Sequence, residues 1–309
     1  MTNDDRVAVI INAGAGGAQL TDQVTQELHE AFSTAGMNVQ LMQAHNGAEI
    51  RDLTESAMRR NPALVVAGGG DGTLNTVASL LAGTKTALGI LPLGTLNHFA
   101  KDLRIPLDIG DACRLIAKGH TVAVDVGEVN GRIFVNNSSI GLYPHIVHRR
   151  DRQQHRLSRG KWHAMFWATL AVLRRSPFLD VRVCLDDVRT ERRVPFVFIG
   201  NNEYEMEGFS IGMRKRLDCG RLSLYMTHRR GRWALLALAL RALTGQLRQT
   251  ADFDAVSAHT IRIETRRKRL LVATDGEVTV MQSPLDYRSR PGALRVITAE
   301  PEANKQAPA

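Results

Sequence analysis

The stretch VVAGGGDGTLNTVASLL, Val65 to Leu81, decides how the first half of this chain is read. Four glycines, an aspartate and a threonine separate an apolar run of strand type from an apolar run of helical period. A chain that leaves a strand through glycine and enters a helix presents backbone N–H groups and a positive helix end, and both favour anions, phosphate above all. Gly68, Gly69 and Gly70 permit positive φ and close approach of a ligand, as does Gly72 just beyond. Thr73 is expected to cap a helix starting near Leu74 and to offer a hydroxyl. Asp71 is open to two roles, a turn or capping residue, or a carboxylate that holds Mg²⁺ or orients a nucleotide.

Outward from this loop, VAVIIN (Val7 to Asn12), NVQLMQ (Asn38 to Gln43), ALVVAG (Ala63 to Gly68) and ALGILPLG (Ala87 to Gly94) read as strands, with helical patterns between them. The alternation predicts an α/β domain with a mostly parallel sheet over residues 1–130, its ligands beyond the carboxyl ends of the strands. INAGAGG, at the end of the first strand, is not a dinucleotide fingerprint, because Gln19 stands where the third glycine belongs and the second strand ends without an acidic residue. No Walker A loop occurs. Two or three glycine loops sharing one phosphate ligand fit better, the third being LPLGTLNHFA (Leu91 to Ala100), with Gly94, Thr95 and Asn97.

Past Val122 the texture changes to short strands such as AVDVGEV, RIFVNNSSIG, DVRVCL, VPFVFIGN, RLSLYMT, HTIRIET, RLLVATDGE and ALRVIT. Helical patterns at Gly160 to Arg175 and Arg232 to Leu247 interrupt them. The prediction is a second, mainly antiparallel β domain with attached helices over 131–300, and a tail over 301–309.

The net charge of +9 is unevenly spread. Residues 1–130 hold 9 Lys and Arg against 14 Asp and Glu, a balance of −5; residues 131–309 hold 31 against 17, a balance of +14. Basic clusters at His148 to Lys161, Arg214 to Arg216, Arg229 to Arg232 and Arg266 to Arg269 point to an anionic partner. The acidic opening MTNDDR and the absence of a long apolar run predict no export signal or membrane span. Cys113, Cys184 and Cys219 fit neither a disulfide framework nor a zinc pattern, so a cytoplasmic setting is expected.

Together, GGGDGTLN, PLGTLNHFA about twenty residues on, and DGE at Asp275 to Glu277 resemble the diacylglycerol kinase catalytic-domain family, in particular its bacterial lipid-kinase branch. The resemblance runs from IINAGAGG through GNNEYEMEGFSIG to DGE, nearly the whole chain. It implies a nucleotide-binding α/β domain and a β-rich domain, with Mg²⁺-ATP bound in a cleft and its γ-phosphate passed to a lipid hydroxyl. Carried over residue by residue, it puts the nucleotide phosphates on Gly68 to Asn75, with Asn12 on one side and Gly94 and Thr95 on the other. It makes Glu277 the general base. A carboxylate suits that task, although the residues by themselves equally allow Glu277 to be part of a hairpin turn. Asp71, Asp125 and Asp275 are implied as metal ligands or hydrogen-bonding neighbours.

Two positions depart from the family pattern. His98 stands where the best-known members have aspartate, and in RLDCGRL only Asp218 remains of a frequent acidic pair, Cys219 filling the second place, so that structural Mg²⁺ site is not carried over.

The expected partner is a lipid substrate, diacylglycerol-like, at an anionic membrane surface, the inner face, met peripherally. The basic second half and the amphipathic stretch with Trp162, Phe166, Trp167 and Leu170 suit this, though the stretch reads equally as a core helix. No nucleic-acid partner is expected; a homodimer is compatible with the sequence. Two alternatives stay open: an NAD kinase-type phosphotransferase, and a catalytically silent lipid-binding regulator of the same fold.

Overall fold

A computed structural model describes residues 7–14, 22–141, 178–185, 188–204, 213–214, 216–227 and 253–299 of the 309. The chain divides into two units: Met1–Val124 with Gly292–Ala309, and Asp125–Pro291. The division read from sequence at 130/131 kept the last strand in the second domain; here that strand's second half returns to the first unit.

Unit 1 alternates strand and helix: β1 (Val7–Asn12), α1 (Asp22–Thr34), β2 (Val39–Ala44), α2 (Gly47–Met58), β3 (Leu64–Gly69), α3 (Asp71–Leu81), β4 (Ala87–Pro92), α4 (His98–Asp102) and α5 (Ile109–Lys118). Strand order is β2-β1-β3-β4, and the end of the last strand, β16 (Leu285–Ile297), adds beside β4; all these pairings are parallel. α1 packs with α5, and α2 with α3. Every residue of β4 is buried, as a strand covered on both faces must be, which is why ALGILP reads as an unbroken apolar run. Helix ends follow from local chemistry. Asn46 accepts from the Glu49 N–H at the start of α2, and Asp108 accepts from the Asp111 N–H at the start of α5. Gly119, at φ 69°, closes α5 in the left-handed region.

Unit 2 is a sandwich of antiparallel strands. They are β5 (Thr121–Val129, its second half), β6 (Arg132–Phe134), β7 (Asn137–Gly141), β8 (Leu179–Leu185), β9 (Val188–Val194), β10 (Phe196–Asn201), β11 (Leu222–Thr227), β12 (Phe253–Ala258), β13 (Thr260–Thr265), β14 (Arg269–Thr274), β15 (Glu277–Gln282) and the first half of β16. One sheet runs β12-β11-β10-β7-β14-β15; the other includes β16-β13-β8-β9. Their facing residues, among them Ile140, Val183, Val197, Leu224, Ile263 and Val272, form a continuous core. The α/β-plus-antiparallel architecture expected from sequence is the one observed. The helical patterns at 160–175 and 232–247 lie outside the described residues.

Three strands went unread. VRTERRV (β9) has four charges and little apolar alternation because it is an edge strand, exposed along most of its length. β12 and β15 are also edge strands of their sheet. RIFVNNSSIG, read as one strand, is two, broken at Val135 and Asn136, and that break helps to build the site.

Candidate active site

In unit 1 the glycine-rich loops meet at the carboxyl ends of β1, β3 and β4. α3 begins at Asp71, three residues earlier than expected: the Leu74 N–H bonds to the Gly70 carbonyl, which makes Gly70 the N-cap. Thr73 is therefore inside the first turn. It does not cap the helix; its Oγ1 accepts from Asn12 Nδ2 at 3.0 Å, tying the β1 loop to α3. Asn12 Oδ1 in turn accepts from the Gly14 N–H. A glycine N-cap offers no side-chain acceptor, so the first-turn N–H groups of this eleven-residue helix have none from it.

The third loop is pressed against the second. A Cβ on Gly94 would lie 2.3 Å from Gly70 Cα, and one on Gly69 would lie 2.5 Å from Thr73 Oγ1, so both positions exclude any larger residue without backbone movement. At Gly72, by contrast, a Cβ would meet nothing within 4 Å; space is open in front of the helix. Asn97, left-handed at φ 52°, pins the loop by accepting from the Gly94 N–H and donating to the Pro92 and Gly94 carbonyls. Asp71 Oδ1 accepts from the Phe99 N–H at 3.2 Å, which links α3 to the start of α4. Thr95 and His98 are exposed. Asn75 is buried, and its Oδ1 has no protein donor. The role of Asn97 in shaping this loop was missed in sequence, where it reads as one more polar loop residue.

In unit 2, Asp275 and Gly276 form the two-residue turn between β14 and β15, at φ 47° and 85°, which is the Asp-Gly hairpin signature. The turn also ties down a distant corner. The Asp275 carboxylate accepts from three consecutive backbone N–H groups, of Val135 at 2.7 Å, Asn136 at 2.8 Å and Asn137 at 2.9 Å, across the break between β6 and β7. Burial pushes its carboxyl up to about 6, against the pull of those donors and of the Arg214 charge.

Arg214 holds the same corner from the carbonyl side. It donates to the Val135 and Asn201 carbonyls and to Asn136 Oδ1, and stacks over Tyr204. It is 4% exposed, which corrects its place in a basic surface cluster: its charge is spent on buried acceptors. Its neighbour Arg216 is exposed and pairs with Asp218 at 3.0 Å.

Asp125 is buried as well. Its Oδ2 accepts from the Gly220 N–H at 2.6 Å, and Cys219 N–H bonds to Asn202 Oδ1. Asp125 and Asp275, expected near a metal, are thus each engaged with backbone. Among the described residues no group of three or more His, Cys, Asp or Glu is arranged to hold a metal ion. Glu277, first residue of β15, is half-exposed and ion-paired with Arg132 of β6 at 2.5 Å.

Residues 6–129 match the diacylglycerol kinase catalytic domain, and residues 143–298 match the YegS C-terminal NAD kinase beta sandwich-like domain. The chain carries a diacylglycerol kinase catalytic domain followed by a YegS C-terminal domain.

Among relatives, it is 36% identical over 141 residues to a "Diacylglycerol kinase" of Staphylococcus aureus (strain MRSA252), covering 44% of each chain. It is 42% identical over 137 residues to the "Probable lipid kinase YegS-like" of Yersinia pestis (strain Pestoides F), covering 43% of this chain and 45% of that one. The alignments thus span somewhat under half the length of these curated relatives. A crystal structure of a diacylglycerol kinase from Bacillus anthracis str. Sterne superposes with a TM-score of 0.68 over 95% of this chain and 97% of that one, at 22% identity, and shows the same fold.

Proposed function

We propose that the chain is an ATP-dependent lipid kinase that transfers the γ-phosphate to the hydroxyl of a diacylglycerol-like lipid at an anionic membrane surface. The observation that carries this reading is the α3 N-terminus: a glycine N-cap without side-chain cap, open space at Gly72, and two further loops packed against it through Gly94 and Asn12. These residues fit a nucleotide's phosphates, and the segment that carries them matches the diacylglycerol kinase catalytic domain.

The nucleotide supplies the transferable phosphoryl group. The chain's own residues position and neutralise. N–H groups of Gly70 to Thr73 hold phosphate oxygens, Gly94 and Thr95 close the second side, and Asp71 is the carboxylate available to Mg²⁺ beside them. Glu277 takes the proton of the attacking hydroxyl, with Arg132 orienting its carboxylate. Asp275 acts through backbone, fixing the Val135–Asn137 corner next to this pair, and Asp125 holds the Gly220 N–H.

Purified protein incubated with labelled ATP and a total lipid extract should yield a labelled lipid, identified by mass. Label appearing only in added NAD would move the assignment to an NAD kinase. Label in neither would leave a silent regulator.

A further inference from the structure

Charge in unit 2 is compensated over most of one sheet and abruptly uncompensated at one end of it. On the exposed face of β8, β9 and β13 most of the charges are paired, Arg189 opposite Cys184 being an exception. Arg182 pairs with Glu191 at 2.7 Å and Glu264 at 3.4 Å, Arg262 with Asp286 at 2.9 Å and Glu264 at 3.2 Å, and Arg193 reaches Asp180 at 3.9 Å. That pairing stops where β9 and β13 finish and β8 begins. The register sets Arg192 opposite Val181 and Val181 opposite Thr265, so Arg192 and Thr265 are two strand spacings apart, about 10 Å. Thr265 leads directly into Arg266, Arg267, Lys268 and Arg269. Arg192 and these four are exposed, and among the described residues none of the five has an ion-pair partner.

The turn is held in shape by its own backbone. Thr265 Oγ1 donates to the Arg267 carbonyl at 2.8 Å, the Ser283 N–H donates to the Lys268 carbonyl at 3.0 Å, and Arg269 is already in the β14–β15 ladder opposite Gln282. The cations are therefore presented on a fixed turn at the end of a sheet. Arg192, Arg193 and Arg266 also line one shallow groove of about 390 Å³, together with the paired Asp180, Arg182, Glu191 and Glu264. The consecutive cations Arg266 to Arg269 repel one another, with Arg192 adding to the same field, a cost that an anionic partner relieves. Among the described residues the ring beside the patch, Phe178, is covered by the Arg193 guanidinium, 5.6 Å from its centroid, and so is not offered for the stacking that single-stranded nucleic acid would use.

We propose that this sheet end, Arg192 with Arg266 to Arg269, is the surface by which unit 2 docks on an anionic bilayer. The choice of a bilayer over other polyanions rests on the lipid-kinase reading; the docking by charge does not.

Co-sedimentation with phosphatidylcholine vesicles, with and without phosphatidylglycerol, tests it in the absence of ATP. The four-site variant R266S/R267S/K268S/R269S should lose affinity for the anionic vesicles by roughly 10²-fold or more at low salt, and adding Arg192→Ser should lower it further. A matched variant in unit 1, R51S/R59S/R60S/K85S, removes the same charge and should change binding little. Circular dichroism establishes that each variant is folded. Equal losses in the two variants, wild-type binding to pure phosphatidylcholine as strong as to the anionic vesicles, or displacement from them by single-stranded RNA at matched phosphate concentration would each overturn the proposal. Transfer to lipid in neutral detergent micelles is measured separately. Absence of transfer with vesicle binding lost only in the turn variant removes the kinase reading and keeps the surface; transfer together with undiminished binding by the turn variant does the reverse.

Discussion

At the scale of single residues, Glu277, Gly94 and Asp275 each have a measurable consequence. Arg132 and Glu277 form a partly exposed pair, so its loss should change stability by no more than about 1 kcal/mol. If the pair orients the base, Arg132→Gln should lower kcat while leaving KM for ATP unchanged, a split that a merely structural role would not produce. Gly94→Ala forces a methyl group onto the Gly70 backbone and should cost about 1–3 kcal/mol in denaturant unfolding together with nucleotide affinity. Asp275 gives a pH signature. Its carboxyl titrates near 6 when folded against an ordinary 3.8, so between those values the folded state holds the extra proton. This group's contribution to stability is therefore greatest below about pH 4 and declines as the pH rises to 6. Asp275→Asn should be less stable throughout, because its amide cannot accept all three N–H groups, and should lose that part of the pH dependence; unfolding curves of both proteins across pH 4–7 check it.

At the scale of elements, strand-to-helix punctuation made unit 1 legible. β1 begins and ends where the sequence placed it, and β2, β3 and β4 lie within a residue or two, because glycine and polar turns bound each apolar run. The α3 start was misplaced by three residues. A threonine in a glycine loop looks like a cap, but the helix starts at Gly70, whose carbonyl accepts the Leu74 N–H, so Thr73 falls inside the first turn. In unit 2, edge strands such as β9 escaped because exposure removes the alternation that marks a half-buried strand. The corner at Val135–Asn137 was unreadable for a different reason: what breaks the strand is Asp275, 138 to 140 residues away. Arg214 clamps that corner, and no local pattern separates it from the exposed Arg216. Arg214→Met should cost about 3 kcal/mol or more, since two carbonyls and Asn136 Oδ1 lose their donor in a buried site. Arg216→Met should be nearly neutral in the same thermal-unfolding measurement.

At the scale of the molecule, the acidic and basic halves of the sequence correspond largely to the parallel α/β unit and the sandwich unit, and β16 takes part in both. Its second half is a parallel neighbour of β4, so a chain ending at Pro291 should leave β4 uncovered on one edge and unit 1 prone to aggregation, visible by light scattering. In the proposed kinase, phosphate binding belongs to the glycine loops of unit 1 and proton removal to Glu277 of unit 2. ATP affinity and single-turnover transfer to lipid, measured side by side on wild type and Glu277→Gln, test it most directly. The expected result is unchanged ATP affinity with transfer slowed roughly 10²-fold or more. Transfer at the wild-type rate, or ATP affinity lost along with it, would contradict that division.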